Sequence, residues 1–102
     1  MVSFRVEWSE KAVSDLGQHV AFQRRVSVEA ASAVASKVLA AGESLSTFPE
    51  RCQEFEMPPN FPVVIRKCVV DKRYILLYGV GSEKVTIYRV LDARRKFDGL
   101  LR

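Results

Sequence analysis

Arginine and lysine are the residues of this 102-residue chain whose clustering points most directly to chemistry. Ten of the sixteen lie between Phe61 and Arg102 together with four acidic residues, which gives this stretch a net charge of +6. The first sixty residues carry six basic and eight acidic side chains, a net charge of −2. A basic stretch beside a mildly acidic one favours contact with an anionic partner.

Groups for metal binding or nucleophilic catalysis are few. His19 is the only histidine, which excludes a histidine metal cluster and a Ser-His-Asp triad with a spare base. Cys52 and Cys68 form no Cys-x-x-Cys pair, so we expect two reduced thiols and no zinc site. Gly79 and Gly81 lie at a hairpin turn without a following helix, which is not a nucleotide-binding pattern. We therefore expect neither a metal nor a cofactor.

Length and composition limit the architecture. A chain of 102 residues with 48% hydrophobic and 27% charged residues is typical of one globular domain, which we expect to span residues 1–102. No apolar run approaches the ~20 residues that a membrane-spanning helix needs, and we see no basic-then-apolar leader. We expect a cytoplasmic protein without a membrane partner.

The first half of the chain predicts a strand and two helices. Val2–Trp8 alternates apolar and polar residues, which is typical of a half-buried strand. Ser9 is the predicted N-cap of a helix that runs to about Arg24, and Ser27 is the N-cap of a second helix that ends near Pro49. The second helix carries an apolar stripe of Ala30, Ala33, Val34, Val38, Ala41 and Leu45.

Three strands are predicted in the second half. After a loop over Arg51–Asn60 they cover Phe61–Val70, Arg73–Val80 and Lys84–Leu91, and Asp71-Lys72 makes the first turn between them. The middle strand is apolar on both faces and is therefore predicted to be central. Short connections favour an antiparallel meander. The predicted fold is α+β, ordered β-α-α-β-β-β, with a helical hairpin packed on a small, mainly antiparallel sheet.

The motifs along this order resemble those of the ParE/RelE superfamily of toxins from bacterial toxin–antitoxin modules. The resemblance extends over nearly the whole chain. It rests on five segments, namely Trp8-Ser9-x-x-Ala12-x-x-Asp15-Leu16, Ser27-x-x-Ala30, Leu45-x-x-Phe48-Pro49, Tyr74-Ile-Leu-Leu-Tyr-x-Val80 and Arg89-Val-Leu-Asp-Ala-Arg-Arg95. Asp15 itself is predicted to make only a surface or capping contact.

The resemblance implies one of two activities. ParE-like members inhibit DNA gyrase, whereas RelE-like members are ribosome-dependent endoribonucleases that cleave messenger RNA through its own 2′-hydroxyl. Cleavage needs a base, an acid and cations around the phosphate. Ile75, Asp92 and Phe97 stand where the ribonucleases typically place arginine, histidine and tyrosine, which favours the gyrase inhibitor. If the chain is a ribonuclease, its phosphate-binding residues are Arg66, Arg73, Arg89 and Arg95.

For the ParE-like interpretation we expect the target to be contacted by the basic end of the chain. The predicted target-binding residues are Arg89, Arg94, Arg95 and Lys96. In the segment after the last strand, charged residues alternate with apolar ones, which is typical of a tail that packs its apolar side on the sheet. An ordinary solvated terminus has the same pattern, and that alternative stays open.

The resemblance also implies a cognate antitoxin, ParD-like or RelB-like, that folds onto the helices and an uncovered sheet face of the toxin. The predicted contacts are apolar residues that the toxin's own core does not use, among them Val13, Val20 and Leu45. A third possibility is an inactive toxin fold that binds its antitoxin and has no other effect.

Overall fold

The computed structural model describes residues 3–94. Its elements follow the predicted order. They are β1 Arg5–Trp8, α1 Glu10–Arg24, α2 Val28–Ser44, a 3₁₀ turn Pro49–Arg51, β2 Arg66–Val70, β3 Tyr74–Val80 and β4 Lys84–Asp92. Among these residues neither helix is long and apolar enough to cross a membrane.

Both helices begin where their sequences predict. The Ser9 hydroxyl accepts a hydrogen bond from the Ala12 amide at 3.0 Å, and the Ser27 hydroxyl accepts one from the Ala30 amide at 2.9 Å. These caps satisfy amides that have no partner within the first helical turn. The α+β fold with a helical hairpin on one sheet face is confirmed.

The sheet has the order β1-β4-β3-β2. Strands β2, β3 and β4 form the predicted antiparallel meander, and β1 pairs in parallel with β4. Asp71 and Lys72 both have positive φ, as the tight turn between β2 and β3 requires, so the predicted turn is confirmed. Because β3 lies inside the sheet and is almost entirely buried, its predicted central position is confirmed as well.

The main core lies between the helical hairpin and one face of the sheet. Its fully buried side chains include Val38 from α2 and Leu45 at the C-cap of this helix, Leu76 and Tyr78 from β3, and Ile87 from β4. The Tyr78 hydroxyl donates a hydrogen bond to the Pro49 carbonyl at 2.6 Å, which ties β3 to the 3₁₀ turn. The predicted stripe on α2 is wrong in part, since Ala33 is exposed and the helix buries Ala31 and Gly42 instead.

The opposite face of the sheet carries a smaller core. Ile65, Ile75, Leu77 and Leu91 are buried there, and Phe55 and Met57 pack against them. The expectation of an uncovered sheet face is wrong in part, because Phe55 and Met57 pack over this region. The predicted strand over Phe61–Val70 is too long, since residues 61–64 lie outside any strand and Val63 and Val64 are exposed. The strand itself begins at Arg66, after Pro62, which has no amide to donate to a sheet.

Substitution by alanine is expected to have opposite effects on stability at two glycines, Gly42 and Gly17. A Cβ at Gly42 would lie 2.7 Å from Trp8 Cη2 and 3.0 Å from Ile87 Cδ1, whereas a Cβ at Gly17 meets nothing within 4 Å. We expect Gly42→Ala to lower the free energy of unfolding by about 1–3 kcal/mol through overpacking. We expect Gly17→Ala to raise it by about 0.5–1 kcal/mol, since alanine is the better helix former. Urea unfolding of both variants checks the prediction, and equal effects would contradict it.

Candidate functional site

Along the edge of β4 that pairs with β1, the last part of the strand is bonded by Ser9 and by side chains of α1 instead of by β1. Strand β1 pairs with β4 only as far as Ile87. Beyond that point the Ser9 hydroxyl donates to the Tyr88 carbonyl at 3.0 Å, and Asp15 Oδ2 accepts from the Val90 amide at 3.0 Å. His19 Nε2 lies 2.8 Å from the Val90 carbonyl oxygen. Polar groups that an open strand edge would expose to solvent are thereby satisfied within the fold.

Arg89 forms a two-point ion pair with Asp15. Its Nε and Nη2 donate to the two carboxylate oxygens at 2.7 and 3.1 Å. The Asp15 side chain is buried and also binds the Val90 amide, so the expectation of a surface or capping contact is wrong. Arg89, predicted to bind the target, has its guanidinium engaged by this carboxylate.

Arg66 is bound to the backbone of the preceding turn. Its Nη1 donates to the carbonyl oxygens of Glu50 at 3.2 Å and Cys52 at 2.8 Å, and its side chain is 18% exposed. The Glu50 carboxylate lies 3.8 Å from Nη2. This arginine therefore connects β2 to the chain that follows α2.

Arg73 lies at the other end of β3 from Arg66. Its guanidinium stands 5.4 Å from the centre of the Tyr74 ring. With the Gln23 amide oriented to satisfy its neighbours, the Gln23 oxygen accepts from Nη1 and Nη2 at 3.1 and 2.6 Å. Because Arg66 is paired with Tyr78 and Arg73 precedes Tyr74, roughly 15 Å of strand separates the two arginines.

The basic segment after β4 is described only as far as Arg94. Arg94 is exposed, and its amide, Nε and Nη2 donate to the Asp92 carboxylate at 2.9, 3.3 and 3.3 Å. Burial opposes ionisation of Asp92, but the hydrogen bonds and charge of Arg94 outweigh it and lower the pKa of this carboxyl group. Arg94, Arg95 and Lys96 form the basic cluster that is predicted to contact the target. Arg95 and Lys96 lie outside the described residues.

The three residues predicted to contact an antitoxin differ in exposure. Val13 is 58% exposed and Val20 is half-buried, so both remain available on α1. Leu45 is fully buried in the main core and is not carried forward as a contact residue. Other large apolar side chains exposed on α1, α2 and their connection are Phe22, Val26, Val28 and Leu39.

The structure contains a cleft lined by residues of β2, β3, β4 and the segment after α2, and the sequence did not predict it. It has a volume of about 500 Å³, and its polar lining includes Glu50, Glu54, Arg66, Lys84 and Tyr88. These residues come from three separate segments, so no sequence spacing could group them. Carboxylates, cations and a phenol are the groups from which acid–base sites are built. Two carboxylates nonetheless repel a phosphodiester, which disfavours RNA in this cleft.

The described residues contain no group of three or more His, Cys, Asp or Glu side chains that could hold a metal ion. The arrangement that they do form has two parts. One is a set of arginines engaged in internal contacts, and the other is a basic segment that begins at Arg94.

Comparison with known proteins gives one family match and a similar solved structure. The family model described as "ParE toxin of type II toxin-antitoxin system, parDE" matches residues 6–97. Among solved structures the chain is similar to one from "Chromosomal ParDE TA system from P. aeruginosa", with a TM-score of 0.69 and 16% identity. That match covers 88% of this chain and 96% of the other, and at this identity it shows the fold. Comparison with curated protein sequences gives no match. Because the family match extends over most of its length, the chain belongs to the ParE toxin family of type II toxin–antitoxin systems.

Proposed function

We propose that this ParE-like toxin inhibits DNA gyrase, and that it acts by binding rather than by catalysing RNA cleavage. The observation that carries the proposal is that three arginines are used in contacts within the toxin. Arg66, Arg73 and Arg89 are each engaged by groups of the toxin itself, and Arg66 and Arg73 lie at opposite ends of β3. A ribonuclease needs cations that converge on one phosphate.

Two groups that could exchange protons are likewise engaged within the described part of the fold. His19 Nε2 is bound at the β4 edge, and the Tyr78 hydroxyl is buried against the Pro49 carbonyl. Neither group is placed to exchange a proton with a bound messenger. Within residues 3–94 the remaining surface suits binding better than cleavage, and we assign the gyrase contact to Arg94, Arg95 and Lys96.

We further propose that a cognate antitoxin, ParD-like or RelB-like, covers apolar residues on the helical hairpin. Val13 and Val20 are retained as contacts because the core leaves them exposed or half-buried. Exposed apolar side chains in this number are typical of an interaction surface. A partner helix with apolar side chains at i, i+3 and i+4 matches such a surface.

Expression of the chain alone in a bacterium tests the mode of action. We expect growth arrest with filamentation and a DNA-damage response while messenger RNA stays intact. Purified toxin should inhibit supercoiling by gyrase, and adding the antitoxin should restore it. Ribosome-dependent cleavage of messenger without DNA breaks would instead establish the RelE-like activity, and normal growth would establish an inactive binding module.

Removing the basic cluster tests which residues contact the target. We expect Arg94→Ala, Arg95→Ala and Lys96→Ala together to weaken gyrase inhibition by about tenfold or more, because even one charge-assisted contact contributes roughly 1.5–3 kcal/mol. The measurement is the toxin concentration that gives half-maximal inhibition of supercoiling. The matched control replaces Lys11, Arg24 and Arg25, which are exposed on the helical half and change the net charge equally. An equal loss in the two triple variants would show that net charge, and not the cluster, is responsible.

A further inference from the structure

The two cysteines of the chain, sixteen positions apart in sequence, belong to one short antiparallel pairing. The Phe55 amide donates to the Ile65 carbonyl at 2.7 Å, and the Lys67 amide donates to the Gln53 carbonyl at 3.0 Å. Glu54 and Arg66 are bridge partners between these two bonds. Continuing the register of this single bridge by two residues would place Cys52 opposite Cys68.

The position in this register is the one that suits a disulfide. Hydrogen bonds flank the Glu54 and Arg66 pair, so that pair and the next one two residues on are of the non-hydrogen-bonded type. Cα atoms in such pairs are about 4.5 Å apart. Disulfides span Cα separations of about 4.4–6.8 Å. The Cys52–Cys68 pair therefore needs little backbone movement to form one.

Side-chain contacts bring the two thiols to the same place. Both cysteines pack against the main core, and both are free and half-buried. Burial, and after it the nearby Cys52 thiol, raise the pKa of the Cys68 thiol and of the Tyr78 hydroxyl. Arg66 Nη1 binds the Cys52 carbonyl at 2.8 Å, which fixes the backbone of this residue beside β2.

We propose that Cys52 and Cys68 are a redox pair that closes to an intramolecular disulfide by exchange with a small-molecule disulfide such as oxidised glutathione. The Cys52 thiolate attacks one sulfur of oxidised glutathione and releases one glutathione thiolate. The Cys68 sulfur then attacks Cys52 and releases the second glutathione, which takes up the Cys68 proton. Two thiols are oxidised, one small disulfide is reduced, and the atoms balance.

The environments of the two sulfurs set the order of these steps. Burial, together with the adjacent Cys52 thiol, raises the pKa of the Cys68 thiol to about 11, so Cys68 is protonated at neutral pH. Since the thiolate is the nucleophile in exchange, the raised pKa disfavours Cys68 as the first nucleophile, and we assign the first attack to Cys52. The bond would close a loop with fifteen residues between the cysteines, which contains the segment that covers the smaller core.

The experiment equilibrates the full chain in glutathione buffers of increasing oxidised fraction and measures intact mass and thermal unfolding. We expect a mass lower by two hydrogen atoms, a Cys52–Cys68 linked peptide after digestion, and a Tm higher by roughly 10 °C, from the entropy of a loop of this length. Cys52→Ser and Cys68→Ser should show no rise in Tm and at most one added glutathionyl group.

Two results would overturn the proposal, and both come from the unsubstituted chain, so neither depends on the folding of a variant. One is a persistent mixed disulfide with glutathione on Cys52 in the folded protein. The other is a linked peptide that forms only in denaturant. In either case the two sulfurs do not meet in the native fold.

Discussion

Asp15→Ala is expected to lower the free energy of unfolding by about 3–5 kcal/mol, because it leaves a largely buried guanidinium without its charge partner. The same carboxylate also accepts from the Val90 amide, which would lose its acceptor at the β4 edge. Asp15→Asn keeps one carbonyl oxygen for that amide, so its loss should be smaller. Urea unfolding monitored by circular dichroism gives the free energy of unfolding of the unchanged protein and of the two variants.

The control for this substitution is Lys37→Ala. Lys37 on α2 is paired with Asp71 at 3.0 Å, but both side chains are more than half exposed. Exposed pairs contribute about 1 kcal/mol or less. If Asp15→Ala cost no more than Lys37→Ala, the Arg89–Asp15 pair would not be the central contact that we describe.

Leu45→Ala is expected to lower the free energy of unfolding by about 2–5 kcal/mol, because Leu45 is fully buried and its removal leaves a cavity under the sheet. Leu39→Ala is the matched control, since the residue type and the substitution are the same. Leu39 lies on α2, six residues before Leu45, and is 45% exposed. We expect its effect on stability to be about 1 kcal/mol or less.

The affinity of Leu39→Ala and Leu45→Ala for the antitoxin can be measured in addition to their stability. If exposed side chains of the hairpin contact the antitoxin, Leu39→Ala should weaken binding more than it affects stability, and Leu45→Ala should do the reverse. Isothermal titration with purified antitoxin separates the two. A Leu45→Ala variant that stays as stable as the unchanged protein would contradict the core position of this residue.

Local patterns in the sequence were sufficient for the elements but not for their long-range partners. The alternation that predicts the first strand and the serine caps at Ser9 and Ser27 depends on neighbouring residues, and these predictions are confirmed. The predicted start of β2 at Phe61 is wrong because Phe61, Val63 and Val64 are exposed and lie outside any strand, and β2 begins at Arg66. An apolar run alone does not distinguish these two outcomes.

The candidate site was predicted less well, for a related reason. Asp15 resembles a surface carboxylate in its helix, and its partner Arg89 is 74 residues away in the sequence. Composition places ten basic residues between Phe61 and Arg102. It does not show that Arg66, Arg73 and Arg89 are used by the fold itself, which leaves the segment that begins at Arg94 as the candidate contact.

The order of strands in the sheet has a consequence for how the toxin is made. Strand β4, the last to be synthesised, lies between β1 and β3. The α1 contacts at its edge join residues 79 and 71 positions apart, Ser9 with Tyr88 and His19 with Val90. A nascent chain that has not yet reached Lys84 therefore has both helices but no neighbour for β1. The sheet can therefore be completed only after residues 84–92 have been synthesised and have entered between β1 and β3.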